Sequence, residues 1–275
     1  MDLITSRIFA PLTAALLITT TQPLFAECTP SEYDVEPGQS INVPLSPRIS
    51  VHIERQEESI SLDVQNGSTA THHTELESDW VVGLDWGIHQ VIAIDVSNDG
   101  VKELLIGLGR GMVSSYYTML IFHPDGTLHN SIVVSDPEFC KTGRGFHSWH
   151  RSGPRGIDIY WAINAAGIPY QQITQTIVDD VVSHRVVRAE DGNMTAQSIV
   201  PNELDILAAQ PPFTAAIAGN DVTVYDPKDS QREIAQLAAG APVVLLGADE
   251  TYSLFLIKYG QGKRGWIMLE DVAYD

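Results

Sequence analysis

The chain predicts an all-β protein built from propeller-like or sandwich-like antiparallel sheets, followed by a small barrel. Three observations carry this. Short segments alternate apolar and polar residues at period two, as half-buried strands do. Turn signals such as Pro124-Asp125-Gly126 and Asp191-Gly192 fall between them at close spacing. No amphipathic helical pattern occurs before Pro201. With 275 residues, of which 44% are hydrophobic and 19% charged, there is enough apolar material for one or two cores.

The first 26 residues carry one Arg (Arg7), an apolar stretch and then Pro23-Leu24-Phe25-Ala26, which is the order of a secretory signal cleaved after Ala26. The apolar run, interrupted by Pro11, is too short to span a bilayer, and no later segment is apolar enough to do so. The mature product is therefore expected in the periplasm or medium, without membrane insertion. Cys28 and Cys140 both follow the cut, and in an oxidising compartment they suggest one disulfide; two unpaired buried thiols are the alternative. Residues 27–44, rich in Pro, Glu and Ser at their start, read as an extended arm, with regular structure beginning beyond it.

Ile49-Ser-Val-His-Ile-Glu-Arg and Ser59-Ile-Ser-Leu-Asp-Val form a first hairpin. Strands are then expected at 89–95, 101–107 and 116–123, and again at 156–164, 170–177 and 183–188. Residues 202–210 are a short helical candidate that Pro211-Pro212 breaks, which makes this the domain boundary: 45–205 before it and 213–275 after it. The second part runs through Asp221-Val-Thr-Val-Tyr, a stretch from Ile234 to Leu246, Tyr252 to Tyr259 and Gly265-Trp-Ile-Met-Leu. In its Leu237-Ala-Ala-Gly-Ala-Pro-Val turn, its Lys263-Arg-Gly-Trp-Ile segment and its strand order, it resembles the bacterial SH3-like (SH3b) domain. The resemblance implies a module that binds cell-wall peptide or another protein, with Tyr225, Tyr252 and Trp266 as contact aromatics; Trp266 as part of a small core is the other reading.

Asp95-Val-Ser-Asn-Asp-Gly-Val-Lys-Glu-Leu sets oxygen donors at Asp95, Ser97, Asp99 and Glu103, adds the carbonyl of Val101, and places Gly100 where the turn needs positive φ. Calcium takes about six to eight such oxygens. A full EF-hand is excluded because Ile106 stands at its twelfth position and the flanks read as strands. An Asx-turn hairpin, in which the acids only satisfy backbone N–H groups, is the alternative. The turn resembles the FG-GAP calcium turn of integrin-like propeller blades, with Ser97 in place of Asn or Asp and Glu103 in place of Asp. Together with Tyr116-Tyr-Thr-Met-Leu-Ile-Phe, Pro124-Asp-Gly and Gly156-Ile-Asp-Ile-Tyr-Trp, residues 45–185 resemble secreted bacterial FG-GAP-like half-propeller proteins. Characterised members of that group are periplasmic immunity proteins that inhibit lysozyme-like toxins. The likeness implies a structural Ca2+ and a contact loop at 109–117, with Ser114, Ser115, Tyr116 and Tyr117 as partner-binding residues and Tyr116 as the inserted one. On a strand, one of the two tyrosines must face the core.

Sixteen Lys and Arg against 35 Asp and Glu give a net charge of -19. Such a field disfavours nucleic acid and steers cationic proteins, among them muramidases, toward the surface. Nothing requires catalysis. His72-His73, near Glu75, Glu77 and Asp79, and His147 with His150 lack zinc spacing. Gly-x-Ser-x-Gly is absent, and Gly107-Leu-Gly-Arg-Gly has no helix after it to cradle phosphate. The expectation is an exported calcium-binding inhibitor of a lysozyme-like toxin or effector, not an enzyme. A peptidoglycan-binding accessory of a wall hydrolase and an adhesion scaffold are the alternatives.

Overall fold

The computed structural model describes residues 29–57, 59–76, 90–111, 113–139, 145–209 and 212–274. The signal at 1–26 and both cysteines, Cys28 and Cys140, lie outside the described residues. β1 (Ser31–Asp34) and β2 (Ser40–Pro44) occupy the stretch expected to be an arm, so ladder structure begins earlier than the composition indicated. Burial is the reason: Val35, Val43 and Leu45 are all in the core. β2 continues into β3 (Ile49–Arg55), β4 (Ile60–Asn66) and β5 (Thr69–Leu76) as an antiparallel meander. The second sheet is the meander β6 (Gln90–Ile94), β7 (Glu103–Arg110), β8 (Ser115–Phe122) and β9 (Leu128–Ser135), with β1 paired on the outer edge of β6. The third is β10 (Gly145–Ser152), β11 (Arg155–Ile163), β12 (Pro169–Ile177), β13 (Val182–Arg188) and β14 (Met194–Pro201).

Alternation along the strands decides how the sheets stack. Val91, Ala93, Leu104, Ile106 and Leu120 point from the second sheet into one core with Val51, Ile53, Leu62 and Val64 of the first. Ile92, Ile94, Leu105 and Met119 point the other way, into a core with Phe146, Ile159 and Trp161 of the third. The second sheet is therefore covered on both faces, and this accounts for the nearly unbroken apolar run Leu104-Leu-Ile-Gly-Leu in β7. The architecture is sandwich-like and all-β, with Leu269–Asp271 as a single 3-10 turn among the described residues.

The fourth sheet contains β15 (Phe213–Ile217), β16 (Val222–Asp226), β17 (Asp229–Leu237), β18 (Pro242–Ala248), β19 (Leu254–Tyr259), β20 (Lys263–Met268) and β21 (Val272–Ala273), in the order β17-β16-β20-β19-β18-β15-β21. It is not a closed barrel, contrary to expectation. Its edge strands β17 and β21 do not pair, and β17 is exposed along Asp229 to Ile234, so closure would bury little apolar surface. Val182 and Ile199 of the third sheet share a core with Ala215, Val243, Phe255 and Ile257 of the fourth, so the two parts are packed together. A Cβ on Gly265 would stand 2.2 Å from Val224 Cγ1 and 2.8 Å from the Tyr225 carbonyl, where β16 crosses β20. Gly265→Ala is expected to cost about 3 kcal/mol by overpacking, read as a lower urea midpoint.

Residues 202–209 form turns, not the expected helix. Their carbonyls are already engaged: Arg185 donates to the carbonyl oxygens of Asp205 (2.8 Å) and Ala208 (2.7 Å), and Asp205 Oδ1 accepts from Leu207 N–H at 2.8 Å. These bonds tie the segment to the third sheet, on the face that also bears Gln175, whose Oε1 accepts from Arg185.

Candidate functional site

The acidic turn joins β6 to β7, as the sequence predicted, with Asn98 and Gly100 at φ 58° and 87°. Asp95 is half-buried and reaches across the turn to two successive amides: Oδ1 accepts from Asp99 N–H at 3.2 Å and Oδ2 from Gly100 N–H at 3.0 Å. Asp99, exposed, accepts from Val101 N–H at 2.8 Å through Oδ1. Glu103 lies beneath, only 3% exposed, and accepts from Val96 N–H at 2.7 Å. Burial, aided by the neighbouring charge of Asp95, pushes its carboxyl up to about 7, against hydrogen bonds from Val96 and Ser97 that favour the ionised form. Ser97 and Val101 are buried at its sides. This is Asx-turn bonding, in which the acids satisfy amides. Among the described residues no three His, Cys, Asp or Glu side chains are arranged to hold a metal ion. The donor chemistry nonetheless suits a hard cation, because every group is an oxygen and Asp99 Oδ2 has no hydrogen-bond partner among the described residues.

Of the expected partner-binding loop, only part reaches the surface. Ser114 is 2% exposed, and Tyr117 lies in the core between the second and third sheets, its phenol donating to Gln90 Oε1 at 2.8 Å. Neither is available to a partner. The Ser115 N–H donates to Asp136 Oδ1 at 2.8 Å, and Tyr116 is half-buried. Tyr116 borders a cleft of about 170 Å³ at the seam of the two sheets, facing Ser148, His150, Trp161 and Gln171. A Cβ on Gly111 would stand 3.1 Å from Tyr116 Cε2, so the small residues of the loop do leave room for the ring. Of the cleft's polar members, Ser148 was not singled out from sequence, and His150 only in a pair with His147 that lacks zinc spacing. Their signal is polar residues at alternate positions of β10, on a face that otherwise carries Phe146.

The three aromatics assigned to the SH3-like groove do not lie together. Tyr225 and Trp266 are cross-strand partners, both half-buried, and Trp266 Nε1 donates to the Pro227 carbonyl at 3.3 Å. Trp266 is not in the core. Tyr252 sits instead against the third sheet: the Arg155 guanidinium is 4.5 Å above its ring and His184 meets it edge-on at 5.9 Å. Its removal from the groove follows from the apolar and cationic surface that the third sheet presents to it.

Among the described residues the histidines belong to no group of three His, Cys, Asp or Glu side chains that could hold a metal ion. His73 Nδ1 contacts Asp63 Oδ1 at 2.7 Å in an exposed cross-strand pair. Burial lowers the His150 pKa, while Asp158, near His147 and Glu138, is raised by burial. Glu77 and Asp79 lie outside the described residues. No protein-family model, curated protein or solved structure matches this chain.

Proposed function

We propose that the protein is an exported binding protein that neutralises a cationic, cell-wall-degrading enzyme of the lysozyme-like class, with a Ca2+ ion held by its acidic turn. The observation that carries the reading is the net charge of -19 on a stack of sheets with extensive buried cores. Such a surface attracts a basic partner at long range, and packed sheets lose little freedom on docking. Tyr116 at the mouth of the seam cleft is the anchor, flanked by Ser115. Asp95, Ser97, Asp99, Glu103 and the Val101 carbonyl would hold the ion, which would neutralise the acids of the turn. No helix among the described residues is long and apolar enough to cross a membrane. Periplasmic or extracellular residence is part of the proposal, as is the kinship with FG-GAP-like immunity proteins.

Inhibition assays of the mature protein against a panel of cationic muramidases and any toxin encoded beside it test the role. Inhibition that Tyr116→Ala weakens about tenfold or more is expected; absence of inhibition and binding throughout the panel would overturn it.

A second reading is favoured by the Tyr225–Trp266 pair, which leaves aromatic surface outside the core. It is attachment to peptidoglycan through the SH3-like part. Sedimentation with purified sacculi, lost in Trp266→Ala, is the result that would support it over the inhibitor.

A further inference from the structure

Lys258 and Arg264 stand directly opposite each other on β19 and β20, with Lys263 paired to Tyr259 one step along. Like charges opposed on one face of an antiparallel pair destabilise it. No ion pair to a carboxylate is seen for any of the three among the described residues, in contrast to Arg232, which pairs with Asp226. In a chain with 35 acidic residues, these three exposed cations form a locally basic hairpin.

The same hairpin borders a cleft of about 400 Å³, within the range of about 300–1,000 Å³ typical of small-ligand pockets. Its walls are largely apolar, with the half-buried Leu237, Ala241 and Val244 backed by the core residues Val243 and Tyr259, while Lys258 and Thr214 supply polar groups. By register, Thr214, Val244, Lys258 and Arg264 lie on one face of the sheet, and Leu256 and Trp266 extend that face by one more pair. An apolar recess with Lys258 on its wall, and Arg264 opposite Lys258 on the next strand, is complementary to one kind of occupant.

We propose that this cleft binds a small amphiphilic anion, its apolar body against Val244 and Leu237 and its carboxylate or phosphate at Lys258, beside Arg264 on the neighbouring strand. An anion held at the two exposed cations would offset their repulsion beyond what water and salt already screen, which gives the opposed pair a role. The site is separate from the acidic turn and from Tyr116, and it does not depend on the inhibitor reading.

Titration calorimetry of the full mature chain with decanoate and decyl phosphate, both kept below their micellar concentrations, tests it. Saturable binding at one site is expected, with no comparable binding of decylammonium. Lys258→Ser combined with Arg264→Ser should weaken both anions about tenfold or more while leaving the circular dichroism spectrum unchanged, and Val244→Asp, on the half-buried face that carries Lys258, should weaken them from the apolar side. Equal affinity for decylammonium, or unchanged affinity in the double variant, would overturn the proposal. So would inorganic phosphate binding as tightly as decyl phosphate, which would mean that the apolar cleft is unused. Binding to phosphatidylglycerol vesicles without binding of the monomeric anions would also overturn it, in favour of a membrane surface.

Discussion

Between pH 4.5 and 7 the calcium-free protein will lose about 3 kcal/mol of stability that a Glu103→Gln variant will not lose. The Glu103 carboxyl lies 3% exposed below the acidic turn, and burial has raised it from 4.5 to about 7. Because the folded form holds its proton more tightly than the unfolded chain, the contribution is fully present below 4.5 and disappears as the pH climbs through 7. Above that, the folded state carries a desolvated negative charge beside Asp95. Gln keeps an oxygen to accept from Val96 N–H while removing the charge, so the variant should be the more stable protein at pH 8. Other carboxylates titrate as well; Asp125 and Asp191, for example, are held low by hydrogen bonds from Thr127 and Asn193. The difference between wild type and variant isolates Glu103. Urea unfolding of both in EDTA across this range checks it, and parallel profiles would disprove it. With Ca2+ added the sign reverses if the ion binds: stability gained from the metal rises with pH in wild type and is absent in Glu103→Gln.

That experiment also separates what sequence could reveal about the turn from what it could not. Spacing placed Asp95, Asp99 and Glu103 on one turn between two strands, and they are there. Spacing could not say that their oxygens would lie on backbone amides, because that depends on where Asn98 and Gly100 turn the chain. The strands legible in the sequence include β3, β4, β6, β7, β8, β11, β12 and β13, whose apolar residues face a core on one or both sides. β5, with the polar run Thr-His-His-Thr-Glu, and β17, exposed along most of its length, are edge strands whose pattern records solvent, not packing. Alternation required one of Tyr116 and Tyr117 to be buried but could not choose. A register shift at Gly107 and Gly109 lies opposite them and precedes the choice. Tyr252 could not be placed at all from its own neighbourhood. Its partners Arg155 and His184 belong to another sheet, and a contact of that kind has no local sequence signature.

Phe146→Ala will remove about 3–5 kcal/mol, most of what holds a typical domain folded. Phe146 is 0% exposed and stacks on Trp161 with ring centroids 5.7 Å apart and planes 8° from parallel, while Phe139 leans on it at 5.4 Å. These rings share a core with Leu105, Met119 and Ile94 of the second sheet, so truncation opens a void at the seam where neither rigid sheet can easily collapse. Trp161 also lines the cleft beside Tyr116, and its indole N–H is anchored on Ser148 Oγ at 2.8 Å. Loss of the stacked partner should therefore loosen the cleft as well as the core. A double-mutant cycle with Trp161→Ala should show coupling of about 1 kcal/mol, because the two rings are in direct contact. Hydrogen exchange supplies the location: amides of β8, β10 and β11 should lose the most protection, while β3 and β4, packed on the opposite face of the second sheet, should change least. Uniform loss across all strands would show that the four sheets unfold as one cooperative unit, and that the seam is not a separable layer of the stack.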